Sequence, residues 1–171
     1  LGLEFEGDMF TNLHKIGFGM FVGLVLGTGL GFSLGVYFLP ILTAEKGLNS
    51  EVITTLSAST THRGVFVRDL VGSDALHWGD GVIMANKRQI WLDGKIAPGP
   101  DYRLYLTADF VDTGAGFKAI KNKARQIGPI KAYENFAIDL PADVDLSAYK
   151  GVLIWCEAFG QFITAARLET R

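Results

Sequence analysis

An uncharged stretch near the start of the chain limits what it can fold into more than any other feature. Residues 16–44 contain no Asp, Glu, Lys or Arg. As a helix, residues 16–39 would extend roughly 36 Å, which exceeds a hydrocarbon core of about 30 Å. Pro40 is expected to end this helix, because it lacks a backbone N–H. A cleaved signal peptide has a shorter apolar core and a small-x-small site, which residues 42–44 lack. We therefore predict a retained transmembrane helix at residues 16–42.

Glycines recur at every fourth position of this stretch, at Gly19, Gly23, Gly27, Gly31 and Gly35. Small residues at this spacing let two membrane helices approach closely enough for van der Waals contact. Glycine is also generally frequent in membrane helices, so the pattern has a second explanation. We predict that the glycine face packs against another transmembrane helix.

The rest of the chain divides into a short tail at 1–15, a linker at 43–59 and one domain at 60–171. Beyond Lys46 the domain has 14 Lys and Arg against 14 Asp and Glu. A neutral domain lacks the basic surface that nucleic acid requires, so we predict no nucleic-acid partner. Lys15 and Lys46 flank the apolar stretch, so the positive-inside rule does not orient it.

Short apolar runs separated by turn signals fill the domain. They predict strands at 63–68, 82–84, 89–92, 95–97, 102–107, 136–140, 151–157 and 162–168. Asp93-Gly94 is a typical two-residue hairpin turn and predicts a reversal of the chain there. Only residues 115–126 have a weakly helical pattern. The fold class expected is an all-β, sandwich-like, mostly antiparallel domain behind one transmembrane α-helix.

Two segments resemble the DM-thirteen domain, a Skeletor-type extracytoplasmic domain of animal and bacterial membrane or exported proteins. One is GVLIWCEAF at residues 151–159, and the other runs from Trp91-Leu92-Asp93 into PGPDYRLYL at 98–106. The likeness covers about residues 60–169. Members of this family are proposed to act in electron transfer or cell-surface oxidation. The resemblance implies such a role here, exerted through a cysteine thiol or through a prosthetic group such as haem.

Cys156 is the single cysteine, so no disulfide forms within the chain. By alternation along its strand it shares a face with Val152 and Ile154, opposite Trp155 and Glu157. An apolar strand offers no cationic neighbour that would favour a thiolate. Three roles stay open for Cys156: a buried small hydrophobic residue, a redox-active thiol or thiolate ligand, and one half of an intermolecular disulfide.

Other cofactor and catalytic signals are sparse. Covalent c-type haem is excluded because no C-x-x-C-H occurs, and a non-covalent haem would have to draw axial ligands from His62, His77 and Met84. We predict no catalytic residues, no metal site and no bound cofactor, with haem as the alternative. The chain lacks G-x-S-x-G, P-loop and H-E-x-x-H motifs, which favours a protein that is not an enzyme.

A run of basic residues without an intervening acid occupies 118–131. Its members are Lys118, Lys121, Lys123, Arg125 and Lys131. This run is a candidate docking patch for an acidic partner or anionic lipid headgroups, and the alternative is a solvated loop face.

These features favour a single-span accessory subunit of a membrane electron-transfer complex, respiratory or photosynthetic. We expect the chain in a bacterial inner membrane with its β-domain periplasmic, and with other transmembrane subunits and the lipid bilayer as partners. The alternative from another functional class is a redox domain that carries electrons through Cys156 or a bound haem. A third hypothesis is homo-oligomerisation through the glycine face.

Overall fold

A long N-terminal helix precedes the folded domain in a computed structural model, which describes the backbone of residues 3–171 and the side chains of residues 12–171. Most of the predicted tail at 1–15 therefore lies outside the described side chains. The chain forms two compact units, residues 1–39 and residues 40–171.

Helix α1 (Leu3–Thr43) contains the apolar stretch. Its segment Asn12–Thr43 has a mean hydropathy of 1.8, and no residue of its most apolar part is buried. The segment is long and apolar enough to cross a membrane, a property that signal sequences share. The expectation that Pro40 ends the helix was wrong, because the helix continues to Thr43. Proline removes one backbone hydrogen bond, and here the helix accommodates that loss for three more residues.

Residues 40–171 form two antiparallel sheets, which confirms the sandwich-like fold. The first sheet has the strand order β6-β3-β2-β1-β9, and the second has the order β5-β4-β7-β8. The strands are β1 (His62–Phe66), β2 (Gly79–Ala85), β3 (Gln89–Ile96), β4 (Tyr102–Thr107), β5 (Arg125–Ile130), β6 (Ala137–Asp139), β7 (Gly151–Cys156), β8 (Gln161–Arg167) and β9 (Glu169–Thr170).

Two short helices accompany the sheets. Helix α2 (Ser50–Ser57) lies inside the segment assigned as a linker, and Asn49 caps it by accepting a hydrogen bond from the N–H of Val52. The Ser57 hydroxyl lies 3.5 Å from Met84 Sδ, which places α2 against the outer face of the first sheet. Helix α3 (Gly114–Ile120) covers the outer face of the second sheet and continues into a 3₁₀ turn at Lys121–Lys123.

The predicted hairpin turn at Asp93-Gly94 was wrong. Both residues lie inside β3, where Gly94 is directly opposite Gly81 of β2. The reversal instead occurs after β2, where the Asn86 side chain accepts hydrogen bonds from the N–H groups of Arg88 and Gln89. Hydrogen bonds from backbone N–H groups to an Asn side chain are a common way to stabilise a turn.

The hydrophobic core lies between the sheets, and a second cluster lies outside them. On β7, Val152, Ile154 and Cys156 face the core, whereas Leu153 and Trp155 face outward. This confirms the alternation expected for the strand. The second cluster, here called the outer cluster, lies between the second sheet and α3. Its buried members are Tyr105, Phe117, Leu153, Trp155, Phe162 and Ala165.

Candidate functional site

Strands β4 and β7 bring four oxidisable side chains close together. In their antiparallel register Tyr102 is opposite Cys156, and Arg103 is opposite Trp155. Because side chains alternate between the two faces of a strand, Tyr102 and Cys156 point into the core, whereas Tyr105 and Trp155 point outward. The strand pair therefore separates an inner site at Cys156 from an outer site at Tyr105.

The inner site holds a protonated thiol. Cys156 is 2% exposed, and its Sγ donates a hydrogen bond to the Pro100 carbonyl at 3.1 Å. Burial raises the pKa of Cys156, outweighing hydrogen bonds from the backbone N–H groups of Phe159 and Ala158. Tyr133 closes the site from the side, with its hydroxyl donating to the Gly99 carbonyl at 2.8 Å. A thiol of this kind is a poor nucleophile and a poor metal ligand, since both roles require the thiolate.

The burial of Cys156 predicts the outcome of thiol labelling. A maleimide should leave native protein unmodified at neutral pH and label it fully once denaturant unfolds the domain. Mass spectrometry of the intact chain measures the modification directly, and Cys156→Ala is the control for non-thiol reaction. Rapid labelling of the folded protein would instead favour the redox-thiol hypothesis.

The outer site begins with three aromatic rings in series. Phe117 of α3 lies between Tyr105 and Trp155, with its ring centroid 5.0 Å from each of theirs. Phe117 is fully buried, and the Thr113 side chain caps α3 by accepting a hydrogen bond from the N–H of Gly116. The Trp155 ring is also buried, and its Nε1 has no hydrogen-bond partner among the described residues.

A carboxylate completes the outer site. The Tyr105 hydroxyl donates a hydrogen bond to Glu157, and Gln126 Oε1 lies 2.8 Å away as a second acceptor for the same proton. Lys121 Nζ lies 2.5 Å from the other oxygen of Glu157. Burial opposes ionisation of Glu157, but the hydrogen bonds from Lys121 and Tyr105 outweigh it and hold the pKa of Glu157 below its ordinary value. Burial, and then the bond to Glu157, raise the pKa of Tyr105. Near neutral pH the site therefore contains a neutral phenol bonded to an ionised carboxylate.

The fold pairs most of the basic residues of the predicted docking patch with acidic side chains. Three of them form ion pairs with distant acids: Lys121 with Glu157, Arg125 with Asp143 at 2.9 Å, and Lys131 with Glu45 at 3.0 Å. Lys118 Nζ lies 5.6 Å from the centre of the Trp155 ring, and Lys123 is exposed. These ion pairs reduce the net positive charge of the segment, and its docking role stays a prediction.

The candidate haem ligands do not fit a single iron. His62 pairs with Ala85, a core residue, whereas Met84 lies on the opposite face of the same sheet. His77 precedes the other end of β2, roughly 20 Å from Ala85 at 3.3 Å per residue. Its Nδ1 lies 2.8 Å from an Asp74 carboxylate oxygen. No two of these three side chains can flank one haem iron. The described residues also contain no group of three or more His, Cys, Asp or Glu that could hold a metal ion.

Sequence reasoning missed Tyr105 as a site residue, and it used Glu157 only to assign strand faces. The alternation in Tyr102–Thr107 places Tyr105 on the other face of the strand from Tyr102, Leu104 and Leu106. This was the available signal that Tyr105 points away from the core. The pairing of β4 with β7 brings Tyr105 and Glu157 together, and they are 52 residues apart.

Comparisons with known proteins agree with the resemblance drawn from the residues. A family model described as Electron transfer DM13 matches residues 70–168, more than half of the chain. Comparisons with curated proteins and with solved structures found no match. The matched segment contains β4, β7 and every residue of both sites described above. The chain therefore belongs to the electron-transfer DM13 family.

Proposed function

We propose that the protein is a membrane-anchored accessory subunit of an electron-transfer complex, respiratory or photosynthetic. Its β-domain would lie on the periplasmic side of a bacterial inner membrane. The observation that carries the proposal is the occurrence, in one chain, of an electron-transfer DM13 domain at 70–168 and an exposed apolar helix at Asn12–Thr43. Membership of the family supports the electron-transfer role, and the apolar helix supports attachment to a membrane.

The state of the inner site favours an accessory role over a thiol-based redox domain. Cys156 is buried and protonated, and the candidate axial ligands are too far apart or on opposite faces. A thiol redox centre requires an accessible thiolate, and a bis-ligated haem requires two convergent side chains. Neither requirement is met by these residues.

The glycine positions of α1 favour packing against a second membrane helix. At Gly19, Gly23, Gly27, Gly31 and Gly35, an added Cβ would meet no side chain of α1 within 4 Å. The helix's own side chains therefore leave these positions open. Five open backbone positions in register are the typical contact surface for a second membrane helix.

Substitution of the middle glycine tests the proposal. We expect full-length protein purified from native membranes in mild detergent to carry other transmembrane subunits with it. Gly27→Ile should reduce their recovery by roughly tenfold, because a β-branched side chain holds the two backbones apart. Leu30→Ile is the matched control, since it changes an exposed apolar residue of the same helix without filling the glycine face. Equal recovery with Gly27→Ile and wild-type protein would count against a helix-packing subunit.

A further inference from the structure

We infer that Tyr105 is a one-electron redox site whose phenolic proton is accepted by Glu157. This inference rests on the proposed function, since the one-electron oxidant that it requires would be a redox partner within that electron-transfer complex. Three observations carry it: the hydrogen bond from Tyr105 to the carboxylate, the ring series that leads to Trp155, and the burial of the phenol ring.

The step balances with a single external reactant, a one-electron oxidant on a partner protein. Tyr105 transfers one electron to that oxidant, and its O–H bond breaks. The proton moves along the existing hydrogen bond and forms an O–H bond on Glu157 Oε1. The products are a neutral tyrosyl radical, a protonated Glu157 and the reduced oxidant. An electron from a one-electron donor reverses the step and returns the proton to Tyr105.

The geometry favours Tyr105 over Trp155 as the site of the radical. An oxidised side chain is stabilised when it transfers its proton to a nearby base, and Trp155 Nε1 has no partner among the described residues. Lys118 Nζ also lies 5.6 Å from the centre of the Trp155 ring, whereas Lys121 Nζ lies at similar distances from both rings, 5.6 Å from Trp155 and 5.9 Å from Tyr105, and does not distinguish them. The positive charge of Lys118 opposes loss of an electron from the Trp155 ring. Trp155 is therefore better placed to relay an electron than to hold the radical.

The other hydrogen-bonded tyrosine lacks a suitable base. Tyr133 donates to the Gly99 carbonyl, which cannot accept a proton at ordinary pH. Among the described tyrosines, Tyr105 alone donates to a carboxylate. A phenol radical cation is a strong acid, so even a carboxylate held below its ordinary pKa takes up its proton.

The phenol ring of Tyr105 is buried, whereas the charged side chains beside it are partly exposed. The Tyr105 residue is 4% exposed, whereas the side chains of Glu157 and Lys121 are 26% and 35% exposed. A buried ring protects a radical from solvent, and an exposed edge brings a docked partner close to it. The further charges near the site are Arg103 and Asp101, which pair with each other at 2.6 Å.

Photochemical oxidation tests the inference on the full-length protein in detergent, without any partner. The probe is a photogenerated trivalent ruthenium tris-bipyridine complex, a one-electron oxidant. The radical is detected by electron paramagnetic resonance and by its transient absorption. We expect Tyr105→Phe to lose most of the tyrosyl signal, whereas Tyr149→Phe, a matched change at a tyrosine outside the site, should retain it.

The role of Glu157 has its own readout, the rate of radical formation. In wild-type protein this rate should be independent of pH around neutrality, because the acceptor is internal and already ionised. Glu157→Gln should slow the rate about 100-fold and make it rise with pH, because bulk water and hydroxide become the acceptors. Lys121→Met leaves the carboxylate in place and makes it more basic, so we expect faster oxidation than in wild-type protein.

Several outcomes would overturn the inference. These are an undiminished radical in Tyr105→Phe, a pH-dependent rate in wild-type protein, and slower oxidation in Lys121→Met. Lys121→Met decides the question if Glu157→Gln fails to fold. The photochemical experiment uses no partner protein, so its result does not depend on whether other subunits co-purify with the chain. Failure of the inference and failure of the proposed function can therefore be distinguished.

Discussion

Gly94→Ala is expected to destabilise the domain by about 3 kcal/mol or more, although the substitution adds a single methyl group. Gly94 has φ +149°, a backbone conformation that residues with a side chain rarely adopt. A Cβ there would lie 2.2 Å from the Asp80 carbonyl oxygen and 2.6 Å from Gly81 Cα. Both contacts are with the backbone, which cannot move without breaking the β2–β3 ladder. Thermal unfolding followed by circular dichroism should show a melting temperature lower by roughly 10 °C.

Gly160→Ala is the matched control for this prediction. Gly160 also has a positive φ, +59°, but an added Cβ would lie no closer than 3.9 Å to Trp155. We expect a cost of about 1 kcal/mol there, from backbone conformation alone. Equal losses in the two variants would contradict the prediction, because they would show that the contacts of the added Cβ with the β2 backbone cost nothing.

Phe117→Ala is expected to cost about 3–5 kcal/mol, the range for deleting a buried phenylalanine ring. The ring is fully buried between Tyr105 and Trp155, so its removal leaves a cavity lined by two aromatic side chains. Denaturant titration with tryptophan fluorescence measures the loss. The emission of Trp155 should also shift to longer wavelength, because water then reaches its ring.

An exposed phenylalanine provides the comparison for Phe117. Phe159 is 62% exposed in the turn between β7 and β8, and we expect Phe159→Ala to change stability by less than about 0.5 kcal/mol. A loss of under 1 kcal/mol in Phe117→Ala would mean that α3 does not depend on the outer cluster for its position.

The strands with a clean alternation of side chains were predictable from the sequence. In Tyr102–Thr107 a period-2 pattern predicted both the strand and its core face, whereas Gly151–Cys156 was predicted as a continuous apolar run and its faces followed from the alternation that every strand has. The Asp93-Gly94 error has a physical cause. Glycine serves tight turns and also close backbone approach within a sheet, and only the pairing with Gly81 distinguishes the two.

The helices and β5 were harder to predict. Helix α2 has only eight residues and one buried side chain, Ile53, so its sequence carries little periodic signal. Strand β5 contains a glycine and a proline, Gly128 and Pro129, which reduce any strand signal. Such segments take their structure from tertiary contacts rather than from local preference.

The outer site depends on contacts between residues far apart in the chain. Glu157 meets Lys121 and Tyr105 across 36 and 52 residues, and Arg125 meets Asp143 across 18. A local count of charges therefore gave a basic run at 118–131 without the ion pairs that three of its five residues form in the fold. The sequence placed Cys156 on the correct face of its strand, but its hydrogen bond to Pro100 required the three-dimensional structure.

The most direct test of the central claim is the redox difference spectrum of what co-purifies with the full-length protein from native membranes. If the protein is an accessory subunit of an electron-transfer complex, the wild-type preparation should contain redox-active partners, with bands that change between chemically reduced and oxidised samples. The Gly27→Ile preparation should lose those bands together with the partners. A wild-type protein that purifies alone and shows no such bands would contradict the account.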